Sequence, residues 1–584
     1  MQSTLRLSLI QDNPTTGDIT GNTEMVLAAL RANPEAHLIV FSECFLTGYP
    51  VQDLVLRPGF IRSVEDAIHM IRDAVIAANG PAILLGAPQA GAILPYNAAY
   101  LIEPSGAIRI VRKSELPNND VFDERRTFAM SNDPRPAPLH FRGFNLGVQI
   151  CEDMWHGSVS QSLAAELADV LLVINGSPYQ GGKQALRLQN ARARIRATGL
   201  PLIYVNQVGG QDELVFDGAS FTMNVDGGTM TAKAFAPDVL NIILHREDDG
   251  SVRVWVEMDE EDHPYPVDTL QSDYKACVLA LRDYVRKTGM PRVFLGVSGG
   301  LDSALVAVMA ADAIGPKNVF GVMLPSQHTG DESLGLANDL MMRLGINSHI
   351  IPIGSAYDAV DSRMVDSIDV IAAKAGLERV NHGIARENYQ ARLRGLYLMG
   401  LSNALGGMVL STGNKSEMSV GYATLYGDMA GGYNPLKSVW KTDAFRMARW
   451  RNTIDPATFG FLGAIDPVPT GIIDRPPTAE LAEGQSDAKT LGEYEALDCV
   501  LKAMIEGRQS PEAAARTLER TFTDEAELAR LIGVGTSSDA YTQRISRLVR
   551  QAQYKRVQAA PGTVLRLGDF GPGFRYPVAG SYTM

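Results

Sequence analysis

Two α/β units joined by an acidic connector are predicted for this chain of 584 residues, on three observations. Short apolar runs alternate with amphipathic helical stretches, the rhythm of sheets covered by helices. The stretch from Glu247-Asp248-Asp249 to Asp259-Glu260-Glu261-Asp262, closed by Pro264 and Pro266, is too charged for a core and suits a solvated link. Beyond it the same rhythm begins again. Domains are therefore expected over residues 1–262 and 263–584, each long enough to bury its own core.

In the first unit, apolar runs predict strands at 5–10, 37–41, 82–85, 98–102, 146–150, 170–174 and 202–205, and helical periodicity is clearest at 64–78, 159–168 and 184–197. A helix over 272–287 opens the second unit, followed by strands at 293–297, 319–324, 348–353 and 408–411. From about 488 the pattern is helical, ending in a Gly/Pro-rich tail over 561–584 with no assigned role.

Composition narrows the functional classes. With 45% hydrophobic and 20% charged residues, and 55 Gly and 31 Pro spread along its length, the chain should fold throughout. A net charge of −13 gives no general attraction to nucleic acid or anionic lipid, so neither is an expected partner. Cys44, Cys151, Cys277 and Cys499 form no CxxC pair, which argues against a zinc ribbon or disulfide scaffold and fits a reducing cytoplasm. No apolar run approaches the ~18 residues of a membrane span, and the first residues lack a signal-peptide pattern.

The run His37-Leu38-Ile39-Val40-Phe41-Ser42-Glu43 is a buried-strand pattern ending in a carboxylate. Strand ends are where α/β architectures meet ligands, so Glu43 is a candidate general base. Its neighbour Cys44 should face the opposite side, by the two-residue period of a strand. A second strand, Asn145-Leu146-Gly147-Val148-Gln149-Ile150-Cys151, delivers a thiol to the turn where the chain leaves the sheet, where exposure is expected. An ordinary thiol is mostly protonated at neutral pH, so a nucleophilic Cys151 needs a base or a cation beside it. Lys113, just past the apolar run at 110–111, could stabilise the oxyanion of a tetrahedral intermediate.

Phe41-Ser42-Glu43, Arg112-Lys113-Ser114-Glu115-Leu116-Pro117 with Phe122-Asp123-Glu124-Arg125-Arg126, and Gln149-Ile150-Cys151-Glu152-Asp153-Met154-Trp155 resemble the nitrilase superfamily in order and spacing over roughly 4–245. The resemblance implies an α-β-β-α sandwich that hydrolyses carbon–nitrogen bonds through a thioester. It implies Glu43 as base, Lys113 as oxyanion cation and Cys151 as nucleophile, with Ser177 and Lys183 holding the amide substrate. Asn119 stands six residues after the lysine, where the glutaminase branch usually carries an aromatic wall of the glutamine pocket.

In the second unit, Val293-Phe294-Leu295-Gly296-Val297-Ser298-Gly299-Gly300-Leu301-Asp302-Ser303 is strand, small-residue loop, then helix. Glycines admit an anion to the backbone N–H groups, and the helix start adds partial positive charge. No Walker lysine follows, so the phosphate cations must come from elsewhere, and Asp302 could place Mg²⁺ against the phosphates. The Ser-Gly-Gly-Leu-Asp-Ser string resembles the PP-loop of the N-type ATP pyrophosphatases, whose doubly wound parallel sheet adenylates an acceptor and releases pyrophosphate.

Further stretches, Glu387-Asn388-Tyr389-Gln390-Ala391-Arg392-Leu393-Arg394-Gly395, Ser411-Thr412-Gly413-Asn414-Lys415-Ser416-Glu417, Tyr426-Gly427-Asp428, Lys437, Lys441-Thr442-Asp443 and Pro476-Pro477-Thr478-Ala479-Glu480-Leu481, resemble the NAD synthetases over about 270–575. That resemblance implies ATP contacts from Gly296, Ser298, Gly299, Gly300, Asp302, Ser303, Thr412 and Lys441. It further implies Mg²⁺ shared by Asp302 and Glu417, and contacts to deamido-NAD from Asn388, Glu417 and Lys555.

Together the halves resemble the glutamine-dependent NAD synthetases: an amidase that frees ammonia, through a shielded tunnel, for an adenylating synthetase. Glutamine, ATP and deamido-NAD are the implied substrates, in a homo-oligomer. A PP-loop tRNA-modifying enzyme, and a nucleotide sensor fused to a non-catalytic nitrilase-like domain, are the alternatives.

Overall fold

A computed structural model describes residues 3–133, 135–257, 260–378, 380–476, 488 and 491–580. The chain divides into two units, Met1–Ser272 and Asp273–Met584.

The first unit runs β1 (Thr4–Gln11), α1 (Ile19–Ala32), β2 (Leu38–Val40), α2 (Pro58–Ala78), β3 (Ala82–Gln89), β4 (Tyr96–Ile102), β5 (Ile108–Arg112), β6 (Leu139–Phe141), β7 (Phe144–Ile150), α3 (Gly157–Ala165), β8 (Val170–Asn175), α4 (Lys183–Thr198) and β9 (Leu202–Asn206). It closes with β10 (Val208–Gln211), β11 (Leu214–Asp217), β12 (Phe221–Met223), β13 (Thr229–Thr231), β14 (Asp238–Arg246) and β15 (Val252–Val256). Two main sheets form, one in the order β15-β14-β1-β2-β3-β4-β5 and one in the order β13-β12-β9-β8-β7-β6.

Period-two alternation explains the layers. Leu38 and Val40 of β2, Leu84 of β3, and Val170, Leu172 and Ile174 of β8 share one core between the sheets. The intervening Ile39, Ile83 and Leu85 instead meet Val64, Ile68, Ile71 and Val75 of α2. On the other sheet, Leu171 and Val173 meet Val159 and Leu163 of α3 and Ala191 and Ile195 of α4. The result is the expected α-β-β-α sandwich, and burial on both faces is why β2, β3 and β8 read as continuous apolar runs.

The second unit begins within α5 (Thr269–Lys287) and continues β16 (Val293–Gly296), α6 (Leu301–Ile314), β17 (Val319–Met323), α7 (Asp331–Leu344), β18 (Asn347–Ile350), α8 (Gly354–Ala375), α9 (His382–Leu405), β19 (Met408–Val409), α10 (Lys415–Val420), α11 (Lys441–Asn452) and α12 (Thr470–Asp474). After α13 (Tyr494–Leu501) come α14 (Pro511–Thr521), α15 (Glu525–Ile532) and α16 (Ser538–Gln551). Its sheet has the order β18-β17-β16-β19, parallel throughout. The chain leaves β16 toward β17 and β18, then returns to the other side as β19. A crevice opens at such a reversal, beyond the carboxyl ends of β16 and β19. Helices cover both faces: a methyl added at Gly296 would meet Leu398 of α9, and one at Gly321 would meet Met341 of α7.

The Gly/Pro-rich tail is anchored. Asp569 accepts the N–H groups of Leu565 and Arg566, each at 2.7 Å, and its other oxygen takes the buried Lys415 ammonium. Among the described residues, no helix is long and apolar enough to cross a membrane.

Candidate active sites

Glu43 lies past the end of β2, in a tight turn rather than in the strand itself. Its carboxylate is fully buried and accepts three donors: Lys113 Nζ and Asn97 Nδ2 on Oε1, and the Gly176 N–H on Oε2, each at 2.7 Å. The alternation argument for Cys44 fails for the same reason. In the turn, Cys44 (φ 48°) directs its thiol at Asn97 Oδ1, so it sits behind the residue that holds Glu43.

Lys113 follows β5 and is wholly buried, where a lysine needs compensating charge. Its ammonium contacts Glu43 and both oxygens of Glu124, at 3.0 and 2.8 Å. Tyr49 donates to Glu124 at 2.8 Å. The two carboxylates hold the Lys113 pKa well above its ordinary value against the opposing effect of burial. Burial pushes the Glu124 carboxyl above the usual carboxylate range, with Lys113 opposing.

Cys151 occupies the junction between β7 and a short helical turn, Cys151–Met154, with φ 49°. Left-handed backbone at a residue other than glycine is strained, a feature concentrated at functional sites. The expected exposure is not found: Cys151 is 4% accessible. The turn folds back over the end of β7, because Asp153 accepts the Ile150 N–H at 3.0 Å and the Ser114 and Glu115 N–H groups at 3.0 and 2.8 Å. Asp153 thereby ties the cysteine turn to the segment just after Lys113. Burial, then the Glu43 carboxylate, pushes the Cys151 thiol well up, while Lys113 pulls it down. The thiol thus feels a carboxylate and an ammonium of opposing effect.

Lys183 opens α4, with its ammonium 5.6 Å from the Phe122 ring centre. Burial and the adjacent Arg187 push its pKa down to about 8. Asn119 is exposed, and its carbonyl accepts the Phe122 N–H at 2.9 Å, so the aromatic ring against Lys183 comes from position 122. The polar groups of Ser177 serve the framework. Its N–H donates to Asn206, its hydroxyl accepts from Arg187, and its carbonyl accepts from Arg187 and Asn206. Arg187 is fully buried and paired with Asp217 at 2.9 Å, and Tyr265 donates to that same carboxylate at 2.8 Å.

In the second unit, a cavity of about 490 Å³ lies at the crevice beyond β16 and β19. Gly296, Ser298, Gly299, Gly300, Asp302, Ser303, Asn388, Thr412, Glu417, Lys441 and Lys555 all line it. The loop is held by its own serines: Ser303 Oγ accepts the Ser298 N–H at 3.2 Å, and Ser298 Oγ accepts the Gly300 N–H at 3.2 Å. At Gly299 (φ 79°) a Cβ would lie 2.4 Å from the Ser333 carbonyl, so both conformation and space demand glycine.

The loop itself carries no lysine, but the ammonium of Lys441, at the start of α11, lines the same cavity. Lys441 Nζ lies 2.5 Å from Asp302 Oδ2 and 3.4 Å from Glu417 Oε1. Asp302 Oδ1 is buried without a hydrogen-bond partner, the kind of carboxylate oxygen a hard cation takes, and Glu417 lines the same cavity. Among the described residues, no group of three or more His, Cys, Asp or Glu is placed to hold a metal ion by itself. Two carboxylates completed by phosphate and water suit Mg²⁺. Lys555 donates to the Gly421 and Ala423 carbonyls at 2.8 and 2.7 Å, and Asn388 accepts from Thr424 at 2.8 Å. Arg394, within the stretch 387–395 that carries the resemblance, also lines the cavity, as does Arg475, which no sequence pattern singles out. The stretch 477–481 lies outside the described residues.

Comparison with known proteins yields two family matches that span most of the chain. Residues 6–248 match the carbon-nitrogen hydrolase family and residues 273–559 the NAD synthase family. The glutamine-dependent NAD(+) synthetase of Rhodobacter capsulatus is 42% identical over 582 residues, covering 99% of each chain. That of Xanthomonas campestris pv. campestris is 38% identical over 586 residues, covering 99% of this chain and 98% of its own. Among solved structures, the glutamine-dependent NAD+ synthetase of Acinetobacter baumannii in complex with ADP superposes with a TM-score of 0.71 at 33% identity, covering 98% of each chain.

Proposed function

The chain belongs to the glutamine-dependent NAD(+) synthetases, and from that premise we propose how its own residues perform the two half-reactions of this carbon–nitrogen ligase. The enzyme amidates deamido-NAD to NAD, consuming ATP and glutamine and releasing AMP, pyrophosphate and glutamate. The two alternatives, tRNA modification and nucleotide sensing, give way to this assignment.

In the first unit Cys151 Sγ attacks the side-chain amide carbon of glutamine as Glu43 accepts the thiol proton. Burial disfavours a free thiolate, so that transfer accompanies attack. The Lys113 ammonium stabilises the oxyanion. The proton passes to the leaving nitrogen, ammonia departs, and water hydrolyses the glutamyl thioester to glutamate. Lys183, beside Phe122, holds the substrate, and Ser177 and Asn119 shape the surrounding loops.

In the second unit the nicotinate carboxylate of deamido-NAD attacks the α-phosphorus of ATP and pyrophosphate leaves. Ammonia then adds to the acyl carbon of the adenylate, and AMP departs. The loop from Ser298 to Ser303, with the start of α6, holds the phosphates through backbone N–H groups. Lys441 supplies the countercharge, Thr412 contacts ATP, and Asn388 and Lys555 orient the dinucleotide. Asp302 and Glu417 would hold Mg²⁺, whose contribution when bound is to neutralise charge on the pyrophosphate.

The observation that carries this reading is the Cys151 cluster, in which a buried thiol feels both Glu43 and Lys113 within a chain that also builds the phosphate-loop cavity. Ammonia must arrive unprotonated to attack, which favours a shielded route. Exposed apolar side chains on α8 and α9, Ile371, Ile384 and Leu396, support assembly into a homo-oligomer, and light scattering should give a mass above one chain. Four unpaired cysteines suit a cytoplasmic setting. Cys151→Ala tests the division of labour: glutamine-dependent synthesis should vanish while synthesis with ammonium chloride persists. Asp302→Ala should abolish synthesis with either nitrogen donor yet spare glutamine hydrolysis; loss of ammonium-dependent synthesis in the first variant, or of glutamine hydrolysis in the second, would refute separable sites.

A further inference from the structure

Glu417 and Lys441 meet in the second-unit cavity from two short helices, α10 and α11, whose sequence positions are 24 residues apart. Both helix starts converge on one buried carboxylate. Asp498 of α13 is 2% accessible, and one of its oxygens accepts the Ser416 hydroxyl. Its other oxygen accepts the Thr442 N–H at 2.9 Å and the Thr442 hydroxyl at 2.8 Å. Ser416 Oγ in turn accepts the Lys441 N–H at 2.9 Å, closing a ring of bonds through Asp498, Ser416, Lys441 and Thr442.

The same helix face reaches further in both directions. One turn before Asp498, Tyr494 donates to Glu417 Oε1 at 3.4 Å, and its ring centre lies 5.3 Å from Lys441 Nζ. One turn after it, Lys502 pairs with Asp443 at 3.1 Å. Residues four apart share a helix face, so Tyr494 and Asp498 of α13, with Lys502 in the helical turn that follows it, present a row of three polar groups to the residues flanking the cavity.

Resting on the reading that Asp302, Glu417 and Lys441 serve the ATP-dependent step, we propose that Asp498 is a positioning residue for that step. By tying Ser416 and Thr442 to one carboxylate, it sets the spacing between Glu417 and Lys441. Only a group that accepts on both sides can do this. Ser416 Oγ already accepts from Lys441, so its proton needs an acceptor, and the Thr442 N–H can only donate. Asparagine at 498 would turn its NH₂ toward one helix start and lose that bond.

The test uses the full chain with ammonium chloride as nitrogen donor, measuring kcat, the Mg²⁺ concentration for half-maximal rate, and melting. Asp498→Asn should lower kcat by about ten-fold or more, since small misplacements are costly in catalysis. It should also raise the half-maximal Mg²⁺ concentration and leave glutamine hydrolysis unchanged. Ser416→Ala should move both readouts in the same direction by less, and the double variant should be no worse than Asp498→Asn alone. A folded Asp498→Asn enzyme with wild-type kcat and Mg²⁺ response overturns the proposal. So does a fall in kcat that leaves the Mg²⁺ response unchanged and adds to that of Ser416→Ala. If Asp498→Asn does not fold, Ser416→Ala and Thr442→Val are judged by the same criteria. Asp302→Ala, run alongside, separates the two claims: full activity there removes the site reading itself, whereas its loss beside an unaffected Asp498→Asn removes only this inference.

Discussion

Lys113 Nζ lies 2.7 Å from Glu43 Oε1, with both side chains sealed from solvent. Two carboxylates, Glu43 and Glu124, share that one cation, so the three side chains form one electrostatic unit. Removing the cation should therefore do more than slow the chemistry. Lys113→Met leaves both carboxylates buried without a counter-ion and should destabilise the first unit by about 3–5 kcal/mol, as breaking a buried pair does. Denaturant melts measure this, and a loss below 1 kcal/mol would contradict it.

The turn that carries Glu43 depends on a glycine in β3. A Cβ at Gly86 would lie 2.4 Å from the Ser42 carbonyl and 2.5 Å from the Cys44 nitrogen, contacts with backbone that cannot rotate away. Gly86→Ala should displace Glu43 and abolish glutamine hydrolysis without touching the substrate. Ammonium-dependent synthesis should survive, and an assay with each nitrogen donor checks both halves of this expectation.

Lys183 should set an alkaline limit on glutamine hydrolysis. Burial and Arg187 push its pKa down to about 8, so the side chain is cationic below that pH and neutral above it. The kcat/KM for glutamine hydrolysis should fall as pH rises through about 8. Lys183→Arg, which stays charged, should extend the plateau upward. An unchanged alkaline limb in that variant would assign it to another group.

Much of this was legible in the sequence because the chemistry-bearing residues sit at the ends of apolar runs. Cys151 after β7, Glu43 after β2 and the Ser298–Ser303 loop after β16 are each announced by a local pattern. The supporting shell is not local. Asn97, Asp153, Glu124 and Asp498 act through contacts across 54, 38, 11 and 82 residues, respectively to Glu43, Glu115, Lys113 and Ser416. No periodicity in a single stretch announces such a partner. The exposure expected for Cys151 and the facing expected for Cys44 failed because both residues lie in left-handed turns, where strand alternation no longer applies. Strands β18 and β19 are shorter than their apolar runs, ending at Ile350 and Val409, since apolar sequence persists into segments that leave the sheet.

The tail over 561–580 carried no readable signal, yet Asp569 reaches Lys415 across 154 residues. Lys415 also bonds Glu506 at 2.7 Å and lies 4.3 Å from the Trp440 ring centre. Lys415→Met should cost the second unit about 3–5 kcal/mol by stranding a buried carboxylate. Hydrogen exchange should show the segment around Leu565 opening in that variant, and unchanged protection would mean that the tail is held by other contacts.

The central claim is that nitrogen released at Cys151 is the nitrogen built into NAD. The most direct measurement supplies amide-¹⁵N glutamine with ATP, Mg²⁺ and deamido-NAD, and follows the label by mass spectrometry. The account predicts ¹⁵N in the carboxamide of NAD, one AMP for each labelled product, and no label transfer by Cys151→Ala. Unlabelled NAD, or labelled ammonium accumulating while deamido-NAD remains unconverted, would contradict it.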